Sequence, residues 1–425
     1  MGWFFLNRRN YINKKEKINN SSSTNLTIWT SIYVITLVTI LILNSLYVFV
    51  WNKNNFSHIT EVNIYETNIA AANTKLGDGI LKSTSFTITA IGDIMCHDTQ
   101  FKDAYNVNTK TYDFNYVFED IKHHTSDSDL TIGNLETTFG GEEKGYRNYP
   151  TFNTPDALAS AIANIGIDVL STASNHSLDT GYDGLVRTTN LLNDLGIKYV
   201  GTAKSQKERD SILFVDVKGV NIAILSYTYG TNGISIPKGK EYSVNLIDKD
   251  LILKDIATAK NGNADMIITC MHWGNEYQTY ASKTQKELTD MLFENGVNVI
   301  IGNHPHVVQP MEKRTVTTVD GVTQDAFVIY ALGNFISDQI APNTRNSIIL
   351  DLDITKTALG KIEIDNVSYT PIYMYKTNTS SKQRMKVLDI NKEIEDYNNK
   401  KNNISYSTFN LITKELNHIK KILGS

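Results

Sequence analysis

The sequence has little cysteine and no excess of basic residues. Cys96 and Cys270 are the only cysteines among 425 residues, which excludes a framework of several disulfides; one bridge and two small buried thiols both remain open. The 41 Lys and Arg are outnumbered by 45 Asp and Glu, for a formal net charge of -4. This balance argues against nucleic-acid binding. We find no internal repeat.

Charged residues are also absent from one long apolar stretch, residues 28–51. A helix of this length spans roughly 36 Å, enough for a hydrocarbon core of about 30 Å. Trp29 and Trp51 fall at its two ends, where indole rings favour the interface, and basic residues precede it while only Lys53 follows closely. The pattern predicts a single-pass anchor in the cell membrane, with residues 1–27 in the cytoplasm and the main domain outside.

A cleaved signal peptide is the alternative interpretation of this stretch. Its apolar region is typically about 7 to 15 residues long and ends in a small-residue cleavage site. Residues 28–51 are longer and end in FVWNKNN, and the nearest run of small residues, at 70–72, lies well downstream. Anchoring is therefore favoured over cleavage.

The rest of the chain divides by composition. Residues 52–84 are mostly polar with no sustained period and predict a flexible tether, whereas 376–425 predict a helical tail with apolar residues at helical spacing. Between them, residues 85–375 predict one folded domain in which strands first alternate with helices in the βαβ manner. A more antiparallel second half follows. The predicted fold class is therefore α/β, with a two-sheet β-sandwich covered by helices.

The predicted elements of this domain can be placed coarsely from turn signals and periodicity. We expect a hairpin around Lys218-Gly219 and a second turn at Asp320-Gly321. The predicted strands are 86–92, 129–133, 167–173, 197–200, 211–217, 220–227, 264–270, 297–301, 314–319, 326–332, 347–353 and 361–369. The predicted helices are 113–124, 155–165, 182–195 and 283–295.

Six apolar runs end abruptly in clusters of Asp, Asn, Glu or His. The runs are TITAIGD, LTIGNLE, VLSTASNH, MIITCMHWG, VIIGNHPH and VIYALGNF. Ligands of open α/β sheets bind beyond the carboxyl ends of the strands, so we expect these polar ends to converge on one crevice. Taken singly, Asp93 or Asn175 could have no role beyond capping a turn or a helix. Their accumulation favours a metal or catalytic site.

The residue types in these clusters suit divalent metal ions. Asp93, Glu136 and Asn175 offer oxygen ligands, and His272, His304 and His306 offer imidazoles. Such a set is expected for a pair of first-row divalent ions such as Mn, Fe or Zn, which together could hold a phosphoryl group. His176 follows Asn175 directly and could protonate a leaving oxygen.

The same residues carry a resemblance to a known family. The motifs, in order, are Gly92-Asp93-Ile94-Met95, Asn134-Leu135-Glu136, Ser174-Asn175-His176 with Asp179 and Gly181, His272-Trp273-Gly274-Asn275-Glu276-Tyr277, His304-Pro305-His306-Val307-Val308-Gln309-Pro310, and Tyr330-Ala331-Leu332-Gly333-Asn334-Phe335. Together they resemble the CapA family, which is named for poly-γ-glutamate capsule synthesis. That family is similar in turn to the calcineurin-like metallophosphoesterases.

The resemblance implies a β-sandwich flanked by helices around a two-metal centre. It implies the metal ligands Asp93, Glu136, Asn175, His272, His304 and His306, with His176 as the catalytic histidine. The substrate pocket would be shaped by Asn134, Trp273, Glu276, Tyr277 and Asn334. Tyr149 and Phe152, in a loop between a strand and a helix, could contact a substrate or pack under the loop.

Two positions depart from the phosphoesterase pattern. Met95 stands where those enzymes carry the His of an Asp-x-His motif, and a thioether is a poor ligand for a hard ion. The nearby His97 could substitute for the missing imidazole. Asn134 and Glu136 stand where the second motif of those enzymes has Asp.

Three functions follow from this pattern. The first is a membrane-anchored accessory protein of capsule, poly-γ-glutamate or related envelope polymer synthesis and export, working with membrane-embedded partners. The second is a metal-dependent hydrolase of phosphoesters or of an envelope polymer. The third is a non-catalytic module that binds an anionic polymer.

The anchor can be tested on the expressed chain. Because residues 28–51 are long enough to span the bilayer, we expect the full-length protein to remain in the membrane pellet after a carbonate wash. The measurement is an immunoblot of pellet and supernatant. A shortened form in the supernatant would favour cleavage instead.

Overall fold

The computed structural model describes residues 82–377 and 384–424. The predicted cytoplasmic segment 1–27, the predicted transmembrane helix 28–51 and nearly all of the predicted tether 52–84 lie outside these ranges. Within the two described ranges, no helix is both long and apolar enough to cross a bilayer. The anchor therefore stays a prediction from the sequence.

Strands and helices alternate through most of the described chain. The strands are β1 Thr84–Ile94, β2 Tyr105–Asn106, β3 Thr111–Tyr112, β4 Leu130–Leu135, β5 Val169–Ser171, β6 Lys198–Val200, β7 Leu213–Val217, β8 Val220–Thr228, β9 Met266–His272, β10 Val299–Asn303, β11 Met311–Thr317, β12 Thr323–Ile329, β13 Asn334–Ile336, β14 Asn346–Lys356, β15 Ile362–Lys376 and β16 Met385–Asp389. The helices are α1 Asp98–Ala104, α2 Lys122–Ser126, α3 Asp156–Asn164, α4 Gly181–Asp194, α5 Gln206–Arg209, α6 Lys249–Asn261, α7 Lys283–Glu294, α8 Ile390–Asn398 and α9 Tyr406–Leu423.

The first sheet is mixed, with the strand order β16-β15-β14-β1-β4-β5-β6 and with β13 paired to the end of β1. Strands β1, β4, β5 and β6 run parallel to one another. Strands β14, β15 and β16 add to the other side of β1 in antiparallel fashion. The carboxyl ends of β1, β4 and β5 therefore reach the same edge of this sheet.

The second sheet has the order β11-β12-β10-β9-β8-β7. Its four central strands are parallel, and the outer hairpins β7–β8 and β11–β12 are antiparallel. The predicted hairpin at Lys218-Gly219 and the predicted turn at Asp320-Gly321 are both present. The carboxyl ends of β8, β9 and β10 meet at one edge of this sheet, just as those of β1, β4 and β5 meet at one edge of the first sheet.

The two sheets pack face to face and carry helices on their outer faces. Ile88 and Ile132 of the first sheet share one buried cluster with Ile224, Ile268 and Phe327 of the second. A second cluster joins the first sheet to α3, and a third joins the second sheet to α6 and α7. Strands covered on both faces are expected to read as nearly continuous apolar runs, as these do. The predicted α/β fold, with two sheets between helices, is confirmed.

One predicted helix differs from the structure. Residues 113–124 form a 3-10 turn, Asn115–Phe118, followed by the short helix α2. Tyr116, Val117 and Phe118 are all buried, whereas an α-helix with one face in the core spreads three successive side chains over roughly 200° and leaves at least one of them outside that face. The segment is therefore buried, but the prediction of one continuous α-helix was wrong.

The predicted helical tail, 376–425, also differs at its start. Strand β16 pairs antiparallel with β15 and extends the first sheet past the predicted boundary at residue 375. Helices α8 and α9 follow, and Ile412 and Ile419 of α9 join the core between the sheets. Strand β16 has only five residues, too few for a clear strand period.

Gly92 allows β1 to pass close to the segment that precedes β13. A Cβ at this position would lie 1.8 Å from the carbonyl oxygen of Gly333. That carbonyl accepts a hydrogen bond from the backbone N–H of Asp93 at 3.0 Å. This contact fixes the backbone at Gly92 and Asp93, and it leaves no room for a side chain at position 92.

We predict that Gly92→Ala lowers the free energy of unfolding by about 3 kcal/mol, because the added methyl group forces the two backbones apart. Urea denaturation of both proteins gives the difference. Gly230→Ala is the matched control, since a Cβ there would meet no atom within 4 Å. Equal midpoints for wild type and Gly92→Ala would show that the close approach is not needed.

Candidate metal centre

Residues from both sheets converge at the shared edge formed by the carboxyl ends of the parallel strands. Asp93 ends β1, where it lies in register with Asn134 of β4 and Asn334 of β13. His272 ends β9, in register with Asn303 of β10. The predicted convergence of the polar strand ends is therefore present in the structure.

Asp93 is fully buried and links the two sheets. Its Oδ1 accepts a hydrogen bond from the Asn134 side-chain amide at 2.9 Å. Its Oδ2 lies 3.2 Å from Nδ1 of His306, and the backbone N–H of His304 donates to the carboxylate at 3.4 Å. The His306 ring also contacts Oδ1 of Asn334 at 3.0 Å.

Glu136 is fully buried, and neither of its carboxylate oxygens has a hydrogen-bond partner. The nearest nitrogens are Nε2 of His272 at 3.5 Å and Nδ1 of His306 at 3.8 Å. A buried carboxylate without donors is costly unless a cation compensates it. The surroundings of Glu136 are therefore suited to a bound positive ion.

Further acceptor atoms at the same place also lack partners. Oδ1 of Asn134 and Nδ1 of His304 are buried and unbonded. Burial, followed by the neighbouring His272, holds the pKa of His304 well below its ordinary value, so its ring is a neutral imidazole. A neutral imidazole with a free ring nitrogen is the form that binds metal ions.

Three groups of side chains bring their ligand atoms within 4.8 Å of one another. The groups are Glu136 with His272 and His304, Asp93 with Glu136 and His306, and Glu276 with His304 and His306. Glu136 belongs to the first two groups. Carboxylates and imidazoles in this arrangement fit a divalent ion, as expected from the sequence, and two adjacent groups that share a carboxylate have the donors for two ions.

Asn175 lies against the same cluster. Its Oδ1 is 2.9 Å from Nε2 of His272, and its side-chain amide donates to Oδ1 of Asn232 at 3.1 Å. This contact places the predicted Asn ligand next to the group formed by Glu136, His272 and His304.

The backbone around the cluster is strained at three residues. Tyr277, His304 and His306 have φ values of 66°, 97° and 61°, in the left-handed region that non-glycine residues rarely adopt. The backbone N–H of Tyr277 donates to the carbonyl of Pro305 at 2.8 Å, which ties the two loops together. Strain of this kind costs about 1–3 kcal/mol per residue and is concentrated at functional sites.

The ionisation of the cluster reflects mutual stabilisation of opposite charges. Burial alone would lower the pKa of His306, but the charges of Glu136 and Asp93 outweigh it and raise this pKa to about 9. Burial disfavours the Glu136 anion, yet His306 and His272 hold the pKa of Glu136 well below its usual range. Burial and the Glu136 charge raise the pKa of Asp93. In this state the His306 imidazolium supplies a positive charge that a metal ion would otherwise supply.

His176 forms a buried pair with an acidic partner. Its Nδ1 lies 2.7 Å from Oδ2 of Asp179, and this same oxygen accepts a hydrogen bond from the backbone N–H of Phe152. Burial lowers the pKa of His176, but the bond to Asp179 and the charge of Glu136 outweigh this effect and raise it. The other ring nitrogen, Nε2, faces the side-chain amide of Asn232 at 3.4 Å. The geometry suits a histidine that donates a proton.

The residues predicted to shape a substrate pocket fall into different environments. Asn134 and Asn334 contact the cluster directly, and Glu276 lies at its exposed side. Trp273 does not face the cluster: it is buried between the second sheet and its helices, where its indole N–H donates to the carbonyl of Tyr330. An indole flanked by that apolar core contributes packing rather than ligand contact.

The structure also shows the surroundings of Met95 and His97, where the chain departs from the phosphoesterase pattern, and of the nearby Tyr149 and Phe152. Met95 is buried, and His97 belongs to none of the candidate ligand groups among the described residues. The ring of His97 contacts Gln100 and the backbone N–H of Asp338 instead. Phe152 is buried against His97 and His176, which gives it the packing role, whereas Tyr149 is exposed.

Cys96 and Cys270 are both buried and not bridged. Of the two alternatives that the sequence leaves open, the structure has the pair of thiols. Burial raises the pKa of Cys270 to about 12, so this thiol is protonated at neutral pH. Cys96 and Cys270 pack in different apolar clusters.

Two residues of the site were not foreseen from the sequence. Tyr229, just after β8, packs against His304 with the two rings tilted by 46° and their centroids 4.5 Å apart. Asn232, with a φ of 49°, contacts Asn175, His176 and the hydroxyl of Tyr229. Both follow the run Ile222–Ser226, which carries no polar cluster at its end. The dipeptide Asn232-Gly233 favours a turn, and it is the sequence feature that could have drawn attention to this loop.

The sheets and the buried cluster together define an α/β sandwich protein with a candidate divalent-metal centre between its two sheets. The family follows from residues 87–339, which match the model of the bacterial capsule synthesis protein family PGA_cap. The chain belongs to this family, as the resemblance to CapA proteins predicted.

Curated relatives carry related names. The capsule biosynthesis protein CapA of Bacillus anthracis is 27% identical over 292 residues, which cover 67% of this chain and 67% of that protein. The PGA biosynthesis protein CapA of Bacillus subtilis is 27% identical over 251 residues, covering 58% of this chain and 63% of that protein. The matches thus span about two thirds of the length of these relatives.

Solved structures with a detectable likeness include two nucleotidases. A 5′-nucleotidase precursor from Thermus thermophilus is 16% identical with a TM-score of 0.41, covering 68% of this chain and 55% of that one. The NAD nucleotidase of Haemophilus influenzae is 12% identical with a TM-score of 0.44, covering 80% and 61%.

Metal affinity should depend on pH through His306. Because its pKa is raised to about 9, the ring is protonated at neutral pH and must release that proton to bind a metal ion. We predict that the affinity for Mn²⁺ increases by about tenfold per pH unit below 9 and levels off above it. Isothermal titration calorimetry between pH 6.5 and 9.5 measures the slope. An affinity that does not change with pH would contradict the role of His306 as a ligand.

Proposed function

We propose that this protein is a metal-dependent hydrolase of the cell envelope that acts in the synthesis of a capsule polymer. The observation that carries the proposal is the buried carboxylate of Glu136, which has no hydrogen-bond donor and faces two imidazoles. The names of the relatives support the link to capsule or polyglutamate synthesis.

Asp93, Glu136, Asn175, His272, His304 and His306 would hold the metal, either one ion or two. A bound divalent ion of the Mn, Fe or Zn type would neutralise the carboxylates and attract an anionic oxygen of the substrate. Asp93 keeps His306 oriented through its 3.2 Å contact, and Asn175 does the same for His272. These contacts hold the ligands in place before any substrate arrives.

His176 is the proton donor in this proposal. The contact with Asp179 orients the ring and stabilises its charged form, in which Nε2 carries the proton to be donated. The Asn232 side-chain amide, itself a donor, faces Nε2 at 3.4 Å and would have to turn away before the protonated ring could reach the leaving oxygen of a substrate. General acid catalysis by a placed histidine accelerates bond cleavage by about 10²–10⁴-fold.

The substrate class is proposed as a phosphoester or an anionic polymer. Phosphate and carboxylate oxygens both complement a cationic centre formed by metal ions and His176. The sequence also supports a proposal for location: residues 28–51 anchor the chain, the domain lies outside the cell, and membrane-embedded proteins of polymer synthesis are its partners. A site outside the cytoplasm is where a capsule polymer is exposed.

A non-catalytic binding role is the second candidate. Met95 stands where phosphoesterases carry an imidazole, and His97 is engaged elsewhere by Gln100 and Asp338. The second ion would then rest on Asp93, Glu136 and His306 without further imidazoles. A centre of this kind could hold an anion without turning it over.

Two variants separate these functions. We predict that Glu136→Gln loses most of the bound metal, because the carboxylate shared by two ligand groups is gone. We predict that His176→Asn keeps the metal and lowers the turnover of bis-p-nitrophenyl phosphate by at least about 10²-fold. Elemental mass spectrometry and a colorimetric assay of the full-length protein measure the two quantities.

Glu142→Gln, at an exposed position, is the control for the loss of a carboxylate. Metal retained in Glu136→Gln would end the proposed metal centre. Metal in the wild type, without turnover of phosphoesters or of poly-γ-glutamate, would instead favour the binding role.

A further inference from the structure

Three partly exposed tyrosines lie around the open side of the cluster; we call them the tyrosine rim. They are Tyr149 in the β4–α3 loop, Tyr229 after β8 and Tyr277 after β9, with exposed fractions of 71%, 48% and 48%. The Tyr229 ring centroid is 4.5 Å from that of His304, and the Tyr277 centroid is 6.1 Å from that of His306. Three loops from two sheets thus bring aromatic rings to one place.

The loop that carries Tyr149 is fixed beside His176 by the residues around Tyr149. The Arg147 guanidinium donates to the carbonyl of Asp179 at 3.3 Å, and the Phe152 N–H donates to Oδ2 of Asp179 at 2.6 Å. None of the three tyrosines is a member of the apolar clusters that form the described core. Their rings are therefore available to a ligand and are not explained by packing.

The polar groups beside the rim suit hydroxyl groups. Oδ1 of Asn232 accepts a hydrogen bond from the hydroxyl of Tyr229 at 3.3 Å, and Glu276 is exposed next to Tyr277. Carboxylates and amides bind hydroxyls through hydrogen bonds, and aromatic rings stack on apolar ring faces. The two kinds of group together match a sugar ring, which has both apolar faces and hydroxyl edges.

Charge at the rim disfavours a chain of repeated carboxylates. Glu276 is an exposed carboxylate next to Tyr277, and Glu136 is a buried one in the adjoining cluster. Arg147 lies nearby at the His176–Asp179 turn, where its guanidinium donates to the carbonyl of Asp179 at 3.3 Å. No carboxylate among the described residues lies within 4 Å of this guanidinium. Arg147 can therefore meet one anionic group close to His176.

Building on the metal-dependent function proposed above, we propose that the site accepts a phosphoester carried on a sugar ring. The tyrosine rim stacks on the ring, Glu276 and Asn232 bind its hydroxyls, and the metal centre with Arg147 binds the phosphate. A flexible polyglutamate chain has no ring for this surface.

The test compares the affinities of defined probes for the full-length protein loaded with Mn²⁺. The His176→Asn background prevents turnover during calorimetry. We expect glucose 1-phosphate to bind about two- to tenfold more tightly than inorganic phosphate, the range expected for one aromatic contact. Tyr149→Ala should remove this advantage, and Tyr149→Phe should keep it, because the ring and not the hydroxyl does the stacking.

Tyr406→Ala is the matched control, since Tyr406 is 70% exposed at the start of α9 and Tyr149 is 71% exposed. The advantage of the sugar phosphate should survive in this variant. Equal affinities of glucose 1-phosphate and inorganic phosphate in the parent protein would overturn the inference. So would an advantage that Tyr149→Ala does not reduce.

Two more probes test the class of ligand. Tighter binding of adenosine 5′-phosphate than of glucose 1-phosphate would assign the rim to a nucleobase, and tighter binding of a γ-linked glutamate oligomer would assign it to the polymer. Either result overturns the sugar assignment while leaving the metal centre intact. If inorganic phosphate itself does not bind, the metal-dependent function fails, and this inference fails with it.

Discussion

The buried charge of Glu136 is the constraint around which the site is organised. Burying a carboxylate without a hydrogen-bond donor costs several kcal/mol, and the positive charge of His306, 3.8 Å away, offsets part of that cost. His306 becomes an imidazolium between Glu136 and Asp93, whereas His304 is left neutral with a free nitrogen. The opposite protonation of these two histidines follows from their surroundings: Glu136 and Asp93 outweigh burial at His306, whereas burial and His272 prevail at His304.

The strained backbone at the cluster has the same origin. His304 and His306 lie two residues apart, and both have left-handed backbone conformations; the ring of His304 packs beside His272 of the same sheet, whereas that of His306 contacts Asp93 of the opposite sheet. Contacts on both sides hold this geometry: the backbone N–H of His304 donates to Asp93, and the carbonyl of Pro305 accepts from Tyr277. Ligands supported in this way lose little freedom when they bind an ion.

Much of this arrangement could be predicted from the sequence because the signal lies at strand ends. Apolar runs such as Met266–His272 end in a polar residue, and parallel strands bring such ends to one edge. Asn232 and Tyr229 could not be predicted as site residues, because they belong to a loop whose path is set by tertiary contacts of Ile234 and Ile236 with Leu178. Trp273 was misplaced because it follows His272 directly, and successive side chains of an extended chain point to opposite faces. The predicted helix 113–124 was wrong as well, because a segment that is buried on all sides shows no helical period in its sequence.

The candidate ligands are divided between the two sheets, with Asp93 and Glu136 on the first and His272, His304 and His306 on the second. Neither sheet alone carries the full set, so an ion could bind only once the two sheets have closed on each other. Its binding free energy would then add to that of the closure. Removing the ion would therefore loosen the packing between the sheets as well as the site itself.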